Sequence, residues 1–495
     1  MKLYEKYLNE SFSFGDSRFA YEEEITEDAF ECTLDKSEKG GIPLVAKAGR
    51  VFVDSGDNHS IIFGSSGSMK TRRLIMPLIN YLISSGENLF VADPKGELFN
   101  RTSGIAEKMG YRIFILNLRN PKASHRWNPL GTPWKLYRSG EKEAAINMIN
   151  DFIEIVADEQ RNSRADPFWH ETAANLLLAN ILLMFETCSS RSKVNINSLA
   201  KMCSLESAET LIKIASKLPL NCLASINYGC LFSASEKTLC SIMISAFAMI
   251  NRFITSPNLS SLMSSVGINF DEIPYKKTIV YMITPDESTR YNFVVSMFVQ
   301  QLYQYLISAT EKTDNGKLPI RFNFVLDEFC NIPPLRQAET MLTAARARDI
   351  RFHLVVQSLR QFYSKYGKDN AQTIISNCTN LFYLSGRELE LVKDLSDLCG
   401  TQTDLSGIRH PLISPSELMR FSKTKGEMLL LHSRCYPFIT ELPDIEEYQF
   451  PRFPPAVMSV KEKMAMPMVL NTAALLRDIE EGCIPIPFSN DKNEE

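Results

Sequence analysis

The residue types of phosphate chemistry fall in two strings far apart in this chain. The first is GSSGSMKT, running from Gly64 through Ser65, Ser66, Gly67, Ser68 and Met69 to Lys70 and Thr71. It follows an apolar run, IIF, and precedes a helix-compatible stretch. In that context a Gly/Ser-rich loop turns consecutive backbone N–H groups inward onto phosphate oxygens. Lys70 would meet the β- and γ-phosphates, and the Thr71 hydroxyl would ligate magnesium. The second string, RFNFVLDEF, reads as an apolar strand ending in two carboxylates. Asp327 would hold the magnesium through water, and Glu328 would orient or deprotonate an attacking water. The cofactors expected are therefore ATP and Mg2+.

Three more positions extend the predicted site. Gln357 ends the strand predicted over 352–356, where its amide would sense the γ-phosphate from the neighbouring strand. RARD, with Arg346 and Arg348, precedes that strand. An arginine reaching a neighbouring subunit's nucleotide would stabilise transition-state charge; a solvated or DNA-facing charge is the competing reading. Asp93, in DPKGE at the end of a predicted strand, would support the magnesium shell, or it belongs to a plain Asp-Pro turn. The loop departs from G-x-x-x-x-G-K-[ST] at one position: Met69 stands where glycine is usual. Glycine there allows a backbone path and a close approach that a side chain obstructs.

The elements that would position these residues follow strand and helix alternation. Strands are predicted over 61–63, 88–92 and 112–116, with a helix from about residue 70 and a short one near residue 104. Strand grammar returns at 278–283, 322–326, 352–356 and 379–384. That is the pattern of an α/β fold with a mostly parallel sheet assembled from two separated segments. Between them, residues 140–255 have helical spacing and read as an inserted all-α domain. The expected organisation is an N-terminal extension (1–40), a first nucleotide-binding segment (41–139), the insertion (140–255), a second nucleotide-binding segment (256–450) and a C-terminal tail (451–495).

Composition narrows the class. The chain has 495 residues, 44% of them hydrophobic and 23% charged, with a formal net charge of -4. This is ordinary for a globular protein and argues against a generally basic, nucleic-acid-coating surface. The 11 cysteines include no C-x-x-C pair, which fits reduced thiols and a cytoplasmic location. The longest apolar stretches, 173–185 and 239–250, fall short of the roughly 20 residues of a spanning helix. No transmembrane segment is predicted. Arg290, Arg336, Arg360 and Lys365 are basic residues on which a central pore would draw, although their placement does not follow from the sequence.

With these strings assembled, the chain resembles the type IV secretion coupling proteins of the TraG/TraD conjugation family, in the branch common in Gram-positive mobile elements. The resemblance rests on GSSGSMKT, ADPKGELF, RWNPL, DPFWHETA, ITPDESTRYNFVVSMF, FVLDEFCNIPPL, RARDIRFHLVVQSLRQFYSKYG, SNCTNLFYLSG and HPLISPSEL, in that order. It implies a RecA-like P-loop NTPase domain and a ring, a homo-hexamer, that uses ATP to pump single-stranded DNA with its relaxase into a type IV secretion channel. Lys70, Thr71, Asp327 and Glu328 match the two nucleotide motifs, Arg346 the arginine acting across the subunit interface, and Gln357 the third, sensor-like motif. The helical insertion would read cargo. Asp166, Pro167, Phe168 and Trp169 would open one of its helices, with the aromatics read as core residues and DNA stacking as the competing reading. The family's usual N-terminal membrane anchor is not seen in the sequence, so attachment to the inner face of the membrane would come through partners. The acidic tail SNDKNEE is expected to be a short solvated terminus. Two other readings are a non-hydrolysing docking adaptor that sorts relaxase cargo, motivated by Met69, and a small-molecule kinase, which the large insertion disfavours.

Overall fold

The computed structural model describes residues 16–158, 167–219, 221–232, 234–265, 267–285, 287–288, 290–404, 406–457 and 467–484. Asp166 and the SNDKNEE tail lie outside them. The chain divides into two compact units.

The first unit comprises residues 1–115, 271–292 and 306–457 and is built on a nine-stranded sheet. From one edge, the strand order is Phe438–Glu441, Glu427–His432, Asn380–Tyr383, Ser60–Phe63, Ile350–Val356, Phe322–Leu326, Asn88–Asp93, Thr278–Ile283 and Arg112–Asn117. The six strands from Asn380–Tyr383 to Thr278–Ile283 pair in parallel. Every residue of those six is buried, as expected of strands covered on both faces. Phe324 stacks on Phe352 at 4.8 Å between ring centres, holding two central strands in register. All seven strands predicted from the sequence are present.

The antiparallel extension was not predicted. Glu427–His432 pairs antiparallel with Asn380–Tyr383 and carries Phe438–Glu441 on its far side. A three-stranded sheet of Phe30–Thr33, Arg50–Asp54 and Ile42–Lys47 precedes the phosphate-loop strand. One of its two edge strands, Phe30–Thr33, comes from within the stretch read as an N-terminal extension.

The second unit comprises residues 116–270, 293–305 and 458–495, so it takes in more of the chain than 140–255. Apart from the end of the Arg112–Asn117 strand, its described elements are helical. Phe152, Phe253 and Phe293 pack in sequence in its interior, and Trp127 meets Phe298 edge-on at 5.0 Å. Asn180, a polar interruption within an apolar helix, is paired: Tyr228 Oη donates to it at 2.5 Å.

Two expectations for this unit need correction. Phe168 and Trp169 do not enter a core. They stand 47% and 37% exposed in the first turn of helix Pro167–Thr187, edge-to-face with each other. The stretch read as 239–250 is part of a longer helix, Glu236–Ile254, which by length and composition alone is apolar enough to cross a membrane. Ile242, Met243, Ala246, Met249, Ile250 and Phe253 of that helix are buried inside the protein, the stripe of a core helix.

Candidate functional site

The site lies where the central strands end. Phe63 is level with Val356, Leu326 with Leu354, and Ala92 with Leu326, so Gly64, Gln357, Asp327 and Asp93 all emerge at one edge of the sheet. Carboxyl ends of parallel strands are where α/β sheets collect ligands. One cleft there is lined by Ser66, Gly67, Lys70, Thr71, Asp93, Lys95, Asp327, Glu328 and Gln357, among others.

The loop's shape follows from its small residues. A Cβ on Gly64 would stand 2.6 Å from Ser68 Oγ, and Gly67 has φ +73°, in the left-handed region. Met69 is also left-handed, at φ +71°. The backbone thus keeps the path that glycine usually provides, at a cost of about 1 kcal/mol for a residue with a side chain. The Ser65 N–H is spent on Ser385 O at 2.8 Å, and the Ser68 N–H on Ser65 O at 3.1 Å. Thr71 opens a π-helical turn, Thr71–Ile75, that leads into helix Met76–Ser85.

Lys70 is buried, and its ammonium donates to the carbonyls of Gly64 and Ser65. Burial pushes its pKa down, while Asp327 and Glu328 pull it back up. Lys95 and Lys423 add positive charge from the surroundings.

Asp327 is pushed up to about 6, first by burial, then by the adjoining Glu328 carboxylate, against the pull of Lys70. The one hydrogen bond it accepts among the described residues comes from the Glu328 N–H, at 3.0 Å. Asp93 also rises to about 6 through burial, opposed by backbone N–H groups, among them Phe99 N at 2.8 Å from its Oδ2. That bond caps the start of helix Glu97–Lys108, so Asp93 serves its own turn as well as lining the cleft.

Glu328 is the most constrained member. Its backbone is left-handed at φ +53°, a sparsely populated conformation that clusters at functional sites. Gln357 Nε2 donates to its Oε1 at 3.1 Å, and Asn331 Nδ2 to its Oε2 at 2.7 Å. Asn331 is held in turn by Asn292 Nδ2, which donates to its carbonyl at 2.8 Å. Asn331 was missed in the sequence, although its place three residues after Glu328, across the short 3-10 turn Phe329–Asn331, was a readable signal.

The fold brings together Gly64 to Thr71, Asp93, Asp327, Glu328 and Gln357. It does not bring Arg346 to this cleft. Arg346 is exposed at the end of helix Ala338–Arg346, and its Nη2 donates to Asn58 Oδ1 at 3.1 Å, before the start of the phosphate-loop strand. Arg348 caps the same helix by donating to Ala344 O at 2.8 Å.

The donor set fits a magnesium nucleotide. A hydroxyl (Thr71) and a carboxylate short of partners (Asp327) are hard oxygen ligands, and Mg2+ is commonly held by one or two such groups together with phosphate oxygens. Among the described residues no cluster of three His, Cys, Asp or Glu side chains forms a cage that would hold a metal by itself.

The family model "Type IV secretory system Conjugative DNA transfer" matches residues 16–407. Relatives include the type IV secretion system-coupling protein VirD4 of Bartonella quintana (strain Toulouse), 21% identical over 71% of this chain and 54% of its own length. The probable conjugal transfer protein TraG of Sinorhizobium fredii (strain NBRC 101917 / NGR234) is 23% identical over 75% of this chain and 55% of its length. The chain thus spans about half the length of the curated relatives it matches. Among solved structures, the conjugative coupling protein TrwBdeltaN70 with sulphate aligns at TM-score 0.66 and 14% identity, covering 92% of this chain and 100% of that one. TrwB in complex with ADP and Mg2+ aligns at 0.65 and 14%, covering 91% and 98%. At such identity the structural matches establish the fold. The family match covers well over half of the sequence, and by it this chain belongs to the Type IV secretory system conjugative DNA transfer family.

Proposed function

We propose that this chain is an ATP-driven coupling protein that recruits a single-stranded DNA–relaxase complex and moves it to a type IV secretion channel. The observation that carries this reading is the convergence of Lys70, Thr71, Asp327, Glu328 and Gln357 on one cleft from distant segments. Bound MgATP supplies the phosphoanhydride whose cleavage drives the work. Lys70 and the loop amides would bind the phosphates, and Thr71 and Asp327 would hold the metal. Glu328, its two oxygens fixed by Gln357 and Asn331, would orient the attacking water and accept its proton. TrwB's complexes with ADPNP and with ADP and Mg2+ support the cofactor assignment.

Arg346 lies outside its own chain's cleft, and we assign it to the nucleotide of a neighbouring copy in a homo-hexamer. The helical unit would read cargo. Attachment at the inner face of the membrane would come through secretion-channel partners, and the ordered strings favour the Gram-positive mobile-element branch. The second reading, a docking adaptor with little or no turnover, draws on the strained Met69.

ATPase of the purified chain with and without single-stranded DNA separates the two. DNA-stimulated turnover that vanishes in Lys70→Ala and drops about 10² to 10⁴-fold in Glu328→Gln is expected. No hydrolysis in wild type under either condition would sink the motor reading. Cargo capture that survives Glu328→Gln would then favour the adaptor.

A further inference from the structure

A second cavity, of about 490 Å³, adjoins Gly64 and Ser65 of the phosphate loop, and Gln357 lines both it and the nucleotide cleft. Its walls include Gly64 and Ser65, the turn Ser385–Glu388 and the start of helix Leu359–Tyr366. Two of the residues lining it are arginines, Arg360 and Arg387, both exposed, and neither makes an ion pair among the described residues.

Two acids, Glu388 and Glu390, also line the cavity, and the first is engaged elsewhere. The Glu388 carboxylate accepts the N–H groups of Leu359 and Arg360, each at 2.8 Å, and lies 3.3 Å from Ser358 Oγ. It is spent on capping the helix, and it fixes the turn that carries Arg387 against the helix that carries Arg360. Ser385 is 6% exposed, lines the cavity, and its hydroxyl is buried with no hydrogen-bond partner. A buried hydroxyl without a partner is costly, and an acceptor brought to it recovers that cost. Two unpaired guanidinium forks beside it suit an oxyanion with several acceptor oxygens.

We infer that this cavity binds a backbone phosphodiester of the single-stranded DNA, held by Arg360, Arg387 and the Ser385 hydroxyl. The inference rests on the coupling reading above and adds to it a place for the strand. It also supplies a route for DNA stimulation. Ser385 O already accepts the phosphate loop's Ser65 N–H, and Gln357, on the shared wall, already holds Glu328. A strand seated here would press on both.

The test is fluorescence anisotropy of the full chain with labelled oligothymidylate across a salt series, beside binding of a fluorescent ATP analogue. Arg360→Gln with Arg387→Gln should weaken DNA binding roughly tenfold or more. It should also make the log–log salt slope shallower by about 0.7 per lost phosphate contact. Arg360→Lys with Arg387→Lys should keep the slope, which a misfolded variant would not. Ser385→Ala should weaken binding with the slope unmoved. Wild type that binds, matched by a Gln double variant of equal affinity and slope, would overturn this site and leave the coupling reading standing. Wild type that binds no oligothymidylate would sink both. Lost analogue binding in the Gln double variant, with DNA binding intact, would give the cavity to the nucleotide and overturn the inference.

Discussion

Four adjacent strands of the central sheet carry polar or charged residues at both ends, and the two ends treat them differently. At their starts stand His59, Arg351, Arg321 and Glu87; at or beyond their ends stand Gly64 with its loop, Gln357, Asp327 and Asp93. The starting edge is the better paired of the two, although Arg321 Nε and both ring nitrogens of His353, level with Ser60, are buried without a partner among the described residues. Arg351, fully buried, donates to Asn323 Oδ1, to the carbonyls of Gly40 and Gly56, and to Glu87. Arg321 donates to Asp57 at 2.8 Å, and Lys317 reaches Asp57 and Asp349. The far edge has a buried lysine resting on its own loop's carbonyls and two carboxyls raised to about 6. Buried charge with a full set of partners fixes a fold; buried charge short of partners holds free energy that a ligand can release.

The sharpest way to break this contrast is to remove one ion from each edge. Arg351→Met should cost about 3 to 5 kcal/mol, because Asn323 Oδ1 and the Gly40 and Gly56 carbonyls would lose their buried donor while Glu87 would lose its nearer cation and keep Arg321 at 3.6 Å. Chemical denaturation reads this as a lower midpoint. Lys70→Met should leave the midpoint near wild type while abolishing nucleotide binding. If the two variants lost equal stability, the edges would not differ in kind.

Next in size is an opposite response to pH. Burial lowers His59 to about 4, and its neutral ring is fully used: Nε2 faces Leu342 O at 2.7 Å and Nδ1 accepts the Phe352 N–H. A folded value below the unfolded one near 6.5 means the unfolded chain binds more protons, so this edge loses stability as pH falls from about 6.5 to 4. Asp93 runs the other way. Its folded value is raised, so its stabilising effect is complete below about 4 and is lost as pH rises through about 6. Asp93→Asn should therefore stabilise the nucleotide-free protein by roughly 2 to 3 kcal/mol at pH 7. That gain should shrink to nothing by pH 4. A difference that does not vary with pH in urea titrations would show that Asp93 ionises in the fold as it does in water.

Much of the far edge was readable because its chemistry is written in contiguous strings that sit after apolar runs. The starting edge was not, since Arg351 and Glu87 lie 264 residues apart and nothing local marks them as partners. The same holds for Glu388, whose role as a cap for the helix after Gln357 depends on two strands that end at the same sheet edge with the strand Ser60–Phe63 between them. The antiparallel pair Glu427–His432 and Phe438–Glu441 went unseen because the link between them carries no glycine turn signal. Phe168 and Trp169 were misplaced for a different reason. Aromatic residues are usually buried, but a helix's first turn can project beyond the unit that covers the rest of it. Helix Glu236–Ile254 was cut short because its polar first turn, with Glu236 and Lys237, hid its full length.

The smallest effect concerns Met69, which with Glu328 is one of two far-edge side-chain-bearing residues in a left-handed backbone. Met69 sits at φ +71°, where a side chain costs about 1 kcal/mol and glycine costs nothing. Met69→Gly removes that strain but gives the unfolded chain more freedom, worth about 0.4 to 1 kcal/mol in the other direction. The net change in the nucleotide-free protein should thus lie within about 0.5 kcal/mol, below that of Arg351→Met and of Asp93→Asn. Nucleotide affinity is expected to respond more, because a side chain where glycine is usual limits how closely a phosphate approaches the loop. Calorimetry should find tighter ATP binding in Met69→Gly. Unchanged affinity would mean the loop has already taken up the glycine path in full, and that the methionine imposes only a backbone strain which the fold absorbs.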